Sequence, residues 1–411
     1  MIRGSIRLVL GVLWLLSGAA SAAEEFDLLL QQALATHPAV EGRRAAMEAA
    51  RADREGTEWQ MYPSPSFTGQ AGGTGLPGHS GLFALEQPLW TGGRISAGIR
   101  AAGFREAAAE AAVIEAKQTT GLRVISAYTE VLRQRQRQGY ARASVDEHDK
   151  LFALINRRVR QEVSPPADRD FAQSRLSQAA TDLSLTIQGL QTSQATLSQL
   201  VGRAVFEVED VRLDGRTIPA TLDDAVSRAL ANSPVLQRLD QSALAANEDI
   251  ASKRAVILPQ LAFRLEKQVG TLPDNRALLV LRAQPGAGLS AGSAIAAAQR
   301  RYQEARLAKD EAERGLREQV QTAFTEWRAA QVRLESTRLS TGMAVAVFDS
   351  YTRQYVTGRK TWIDVLNAVR EVSQSQFTLA DAEALFRASA LRLWLLSGDA
   401  PLGETVSQSK P

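Results

Sequence analysis

The side chains that could act together in this chain gather in one short stretch, Tyr355-Val-Thr-Gly-Arg-Lys360-Thr361-Trp-Ile-Asp364, with an echo at Asp168. Asp364 follows Thr361 by three residues, the spacing at which a helix-start hydroxyl and a carboxylate satisfy free N–H groups reciprocally. A negative charge there also suits the helix dipole. Asp168 follows Ser164-Pro165-Pro166 and reads as structural, and Tyr355 reads equally well as packing between helices. These groups can make hydrogen bonds and charge contacts, but nothing beside them could make or break a covalent bond. Cysteine is absent, which excludes thiolate chemistry and disulfides. His37, His79 and His148 have no Asp, Glu or His at ligand spacing. His37 precedes Pro38, which argues for a cap or loop role. No phosphate loop or nucleophile elbow occurs; the glycines from Gly72 to Gly78 open no helix. The expectation is a chain with no catalytic residues, no cofactor and no metal.

The elements that carry this stretch are very long. From about Gly288 to Val356 no proline interrupts the chain, and a second helix runs from about Trp362 to Leu396. Leu316, Val320, Ala323, Trp327, Ala330 and Leu334 repeat at 4, 3, 4, 3, 4, a heptad seam. About 68 helical residues span roughly 100 Å at 1.5 Å per residue, too long for an ordinary globular core. Leu122, Ile125, Thr129 and Leu132 repeat the spacing in a helix from about Arg94 to Glu162. Alanine enrichment around 101–116 and 294–308 lets helices approach closely. The run Arg133-Gln-Arg-Gln-Arg137 reads as a solvated helix face.

Charged residues make up 23% and hydrophobic ones 45%, so the composition is not that of a disordered chain. The formal charge is +3, with Lys+Arg at 48 against Asp+Glu at 45, and does not point to nucleic acid. Residues 1–22 read as an export signal: Arg3 and Arg7, the apolar run Leu8 to Leu16, then Ala20-Ser21-Ala22. That run is too short to cross a bilayer. With no other long apolar segment, any membrane span must be a β-barrel.

The chain carries an internal duplication. A shift of 196 takes Ala33-Leu34 to Ala229-Leu230, His37-Pro38 to Ser233-Pro234, Pro63 to Pro259, Phe67 to Phe263, Asp168 to Asp364 and Gly202 to Gly398. Gln87-Pro88 returns as Gln284-Pro285 at 197. The expected units are 23–206 and 220–400, with a linker at 207–219 and a disordered tail at 401–411. Each unit opens with a helix of about 30 residues, Asp27 to Gln60 and Leu222 to Val256, the second capped by Thr221. Two strands follow, Ser66 to Ala71 with Leu82 to Gln87, and Leu261 onward with Ala277 to Gln284. Leu261, Phe263 and Leu265 alternate with Ala262, Arg264 and Glu266. Then come the long helix and a return helix ending at Gly202 or Gly398. Trp59, Tyr62 and Trp90 beside the strands read as interfacial anchors or as packing, and Lys267 and Arg282 face either a lumen or a rim. The fold class is mainly α with a small β part. Four strands cannot close a barrel alone, so several chains would have to share one.

The order helix, hairpin, long helix, return helix, given twice, resembles the TolC family of outer-membrane channel proteins. The most specific stretch is Tyr355-Val-Thr-Gly-Arg-Lys-Thr-Trp-Ile-Asp364-Val-Leu-Asn-Ala368, similar to that family's second helical-hairpin turn. Gln87-Pro88-Leu89-Trp90-Thr91-Gly92-Gly93-Arg94 is similar to its exit from the first strand pair. The resemblance implies a homotrimer with a 12-stranded transmembrane β-barrel and a periplasmic α-barrel in the outer membrane of a Gram-negative cell. It implies partners: outer-membrane lipid, a periplasmic adaptor and an inner-membrane transporter, in an efflux pump or type I secretion system. It further implies a gate at the periplasmic tip, with Asp364 as the ring carboxylate and Tyr355 and Lys360 as latch residues. Asn367 stands where a second aspartate is expected, and Lys360 where arginine is usual, which weakens the expected charge ring; lysine cannot make arginine's planar bidentate contact. The stretch Arg353 to Trp362 also looks like the branch that exports large adhesins. A soluble periplasmic coiled-coil adaptor is the competing reading, and the paired strand segments argue against it.

Overall fold

The computed structural model describes residues 25–71, 79–211, 213, 215–270, 274–283, 290–398, 400 and 402. The signal segment, the Gly72–Gly78 loop, the Gln284-Pro285 pair and most of the tail lie outside the described residues. Two short helices open the chain, α1 (Phe26–Thr36) and α2 (Pro38–Glu58), followed by a 3-10 turn at Trp59–Met61. The hairpin β1 (Ser64–Ala71) and β2 (His79–Trp90) leads into α3 (Arg94–Arg160), and α4 (Pro166–Val201) returns. The order then repeats as α5 (Leu222–Asn232), α6 (Pro234–Ala255), β3 (Gln260–Gly270), β4 (Asp274–Arg282), α7 (Ala291–Val356) and α8 (Trp362–Leu396).

The opening helices differ from the expectation of single rods. Proline has no N–H to give the preceding turn, so each rod breaks before it and restarts with proline at the first helical position. His37 caps α2 by accepting from Ala39 N, and Ser233 caps α6 by accepting from Leu236 N. Thr221 caps α5 as expected, accepting from Asp224 N.

α3 has 67 residues and α7 has 66, each about 100 Å long at helical rise. Their core is a belt at mid-length. Phe26, Leu29, Val124, Tyr128, Leu132, Leu197, Leu391 and Leu395 pack with Val205 and Val208 of the connecting segment. A second cluster joins Ala225 and Ala229 to Val320, Ala323, Leu393 and Leu396. The heptad seam is therefore inward: Val320, Ala323, Ala330 and Leu334 are all buried. Arg216 bolts the belt from outside. It pairs with Asp27 at 2.8 Å and its guanidinium lies over the rings of Phe26 and Trp394.

The run Arg133 to Arg137 is not the solvated face expected of it. Arg133 and Arg137 reach Asp381 of α8 at 3.2 and 3.7 Å, and Arg135 donates to the carbonyl of Val208. Burial pushes the Glu130 carboxyl up, but bonds from Arg133 and Gln134 more than offset it, and its pKa falls below the usual range. Spacing along one helix could not reveal this, because the partners come from α8 and the connecting segment.

The four strands form one antiparallel sheet in the order β1-β2-β3-β4, so β1 and β4 are both open edges. Pro88 sits at a bulge where β2 leaves the regular ladder. Gly92 and Gly93 then turn the chain into α3, both at positive φ, and a side chain on Gly92 would meet Leu258 at 2.9 Å. That accounts for the Gln87-to-Arg94 stretch.

Candidate functional site

Two regions could act on something other than the chain itself: the sheet and the far helical tips. In the sheet, register puts Pro65, Leu85, Leu265 and Ala277 in one row, and Phe67, Phe83, Lys267 and Asn275 in another, all on one face. Phe67, Phe83, Leu85, Phe263, Leu265, Leu279 and Leu281 of that face are all exposed, Leu281 to 70%. The opposite face holds Ser66, Thr68, Glu86, Arg264, Glu266, Arg276 and Arg282 among Leu82, Ala84, Ala262, Leu278 and Val280. There Arg264 pairs with Glu86 and Glu266. An exposed apolar face backed by a mixed one that carries the ion pairs is inverted relative to a soluble protein and is what a barrel wall between lipid and water needs. Arg282 falls on the charged face and Lys267 on the apolar one. At the helical end of the strands Trp59, Tyr62 and Trp90 are exposed by 69%, 57% and 49%, and the rings of Trp59 and Tyr62 lie 5.1 Å apart.

At the opposite end of the long helices the two hairpin turns meet. α8 starts with a capping box: Thr361 Oγ1 accepts from Asp364 N, while Asp364 Oδ2 accepts from Thr361 N at 2.9 Å and from Thr361 Oγ1 at 2.8 Å. The backbone bond from Thr361 is the main cause that holds the Asp364 carboxyl below the usual range, with the Thr361 hydroxyl and nearby Lys360 adding to it. Lys360 lies over the Tyr351 ring at 4.1 Å. Tyr355 accepts from Arg158 of α3 at 3.2 Å. Asp168 is fixed from across the tip, accepting from Trp362 Nε1 at 3.1 Å. Phe171 stands edge-on to Trp362 at 5.8 Å, and Arg175 covers Phe171.

Of the residues singled out in the sequence, Asp364, Tyr355, Lys360 and Asp168 come together at this tip. Asn367 lies on the exposed side of α8, one turn on. Sequence reasoning missed Arg158, Trp362 and Phe171. Arg158 is one of three arginines closing α3 and carries no local signal. Trp362 did carry one: a tryptophan at the first position of a polar turn needs a packing partner.

Among the described residues no group of His, Cys, Asp and Glu could hold a metal ion, and no helix is long and apolar enough to cross a membrane. A groove of about 980 Å³ lies between α3 and α4, lined by Leu122, Ser126, Leu185 and Gly189.

The profile of the family described as "Outer membrane efflux protein" matches residues 29–203 and 287–399. The outer membrane efflux protein BepC of Brucella suis is 24% identical over 314 residues, covering 72% of this chain and 67% of that protein. Among solved structures, the CmeC outer membrane channel of Campylobacter jejuni superposes with a TM-score of 0.79 at 12% identity, over 91% of this chain and 85% of that one. The outer membrane protein VceC of Vibrio cholerae gives 0.77 at 18%, over 91% and 96%. Family and fold are those of non-enzymatic channels that sit in the outer membrane and extend into the periplasm. The chain belongs to the outer membrane efflux protein family and is a TolC-family outer-membrane channel.

Proposed function

We propose that the chain is one third of a passive exit duct, a homotrimer driven by an inner-membrane transporter through a periplasmic adaptor. The observation that carries this reading is the open four-stranded sheet, apolar and exposed on one face and bearing the ion pairs of Arg264 on the other. Open edges demand partners, and three copies of four strands make a twelve-stranded barrel. The units 23–206 and 220–400, joined by 207–219, then alternate around one axis. The names of the family and of the Brucella suis relative favour efflux over export of large adhesins as the duct's task.

The gate in this reading is the helical tip. Arg158 to Tyr355 and Trp362 to Asp168 tie the α7–α8 hairpin to the α3–α4 hairpin, so widening the tip requires breaking both bonds. Asp364, three times around the axis, would set the charge of the constriction, with Asn367 adding polarity without charge. Lys360 would act by holding Tyr351 rather than by a planar bidentate contact. Purified protein is reconstituted into planar bilayers, and single-channel conductance is compared for wild type and for Tyr355→Phe with Lys360→Ser. The reading expects a higher conductance in the variant. Equal conductance would sink the gate while leaving the duct.

A further inference from the structure

Lys267 is the one cation on the apolar face of the sheet among the described residues, and no carboxylate or aromatic ring there takes up its charge. Its partners in register are Phe83 and Asn275, and the row beneath it holds Leu85, Leu265 and Ala277. A shallow depression of about 550 Å³ is lined by Pro65, Phe83, Leu85, Leu265 and Ala277 together with Lys267, and the row between, with Glu266 and Arg276 directed to the other face by register, floors it. β3 is an inner strand, so closing the barrel with further copies leaves this surface uncovered.

The level of Lys267 along the wall decides what it can meet. The helices join the strands at the Trp90–Leu261 end, so the hairpin ends point outward from the cell. From Leu261 to Lys267 the strand rises about 20 Å at ~3.3 Å per residue. That is roughly 15 Å along the axis at a barrel's tilt, in an apolar band about 25 Å tall. A lysine at mid-bilayer strongly destabilises a barrel, whereas near the interface it is close to neutral. Lys267 thus lies on the outer-leaflet side of the midplane, its stem on apolar surface and its ammonium snorkelling toward the headgroups.

We propose that Lys267 and the depression below it bind a phosphorylated lipid of the outer leaflet, the phosphate on the ammonium and an acyl chain along Leu85, Leu265 and Ala277. The proposal deepens the duct reading, since it requires this face to meet lipid. Lysine suits a phosphate as a compact point charge, and an unpaired cation on a hydrophobic wall finds an anion only among the lipids.

Native mass spectrometry of the detergent-solubilised full-length assembly tests it, with diphosphoryl lipid A and zwitterionic phosphatidylethanolamine as competing probes. Wild type should retain the phosphorylated lipid about fivefold more, the worth of one basic residue near an anionic surface. Lys267→Gln should abolish the preference, Lys267→Arg restore it, and Arg282→Gln on the other face leave it unchanged. Equal preference in wild type and Lys267→Gln would overturn the proposal alone. A monomer that retains neither lipid would overturn the barrel as well.

Discussion

The indole Nε1 of Trp362 donates to Asp168 Oδ2 at 3.1 Å, joining the first residue of α8 to the first turn of α4. Asp168 and Asp364 are counterparts in the duplicated sequence, yet they do different work. Asp364 turns back on its own helix start, while Asp168 reaches the other hairpin. Trp362→Phe keeps a ring beside Phe171 but removes the donor, with a stability loss of about 1 kcal/mol. Single-channel recording should show a wider or less stable closed state, and an unchanged trace would make the bond mere packing.

The Tyr355 hydroxyl accepts from Nη1 of Arg158, whose Nε is buried with no hydrogen-bond partner. Arg158→Gln should therefore raise conductance in the same direction as Tyr355→Phe. If the two act through one bond, the double variant should add little to either single change. Fully additive effects would show that they act separately.

The capping box sets the pH behaviour of the tip. Because the folded-state pKa of Asp364 lies below its unfolded value, its contribution is fully present above about pH 4, the ordinary aspartate range. It is lost only as pH falls further, through the depressed value. Asp364 should therefore give no change in conductance between neutral and mildly acid pH. A transition there that Asp364→Asn removes would contradict this. Thr361→Ala should destabilise the helix start by about 1 kcal/mol at all these pH values, measurable as a lower Tm.

The belt at mid-length should govern stability without touching conduction. Leu391 is fully buried among α1, α3 and α8, and Leu391→Ala should lose about 2–5 kcal/mol. Heat-modified mobility on gels should appear at lower temperature while conductance stays at the wild-type value. A conductance change would mean that the belt and tip are coupled.

Periodicity made much of this fold legible. The seam from Leu316 to Leu334 marks the buried side of α7, while the alternation from Leu261 to Glu266 marks the two faces of β3, the apolar one being exposed. The capping box was legible because its parts lie three residues apart. Interactions between elements were not. The partners of Arg133 and Arg137 lie about 245 residues away at Asp381, and those of Tyr355 and Trp362 nearly 200 away at Arg158 and Asp168. The breaks at Pro38 and Pro234 were visible but needed the caps on His37 and Ser233 to be seen as helix starts. Lys267 could be assigned a face only once register tied it to Phe83.

The central claim is that four strands with two open edges are one third of a barrel. The mass of the assembly extracted from outer membranes in mild detergent, read by native mass spectrometry, tests it most directly. Three copies per particle is the predicted result. A monodisperse single copy, stable in detergent with its sheet intact, would contradict it.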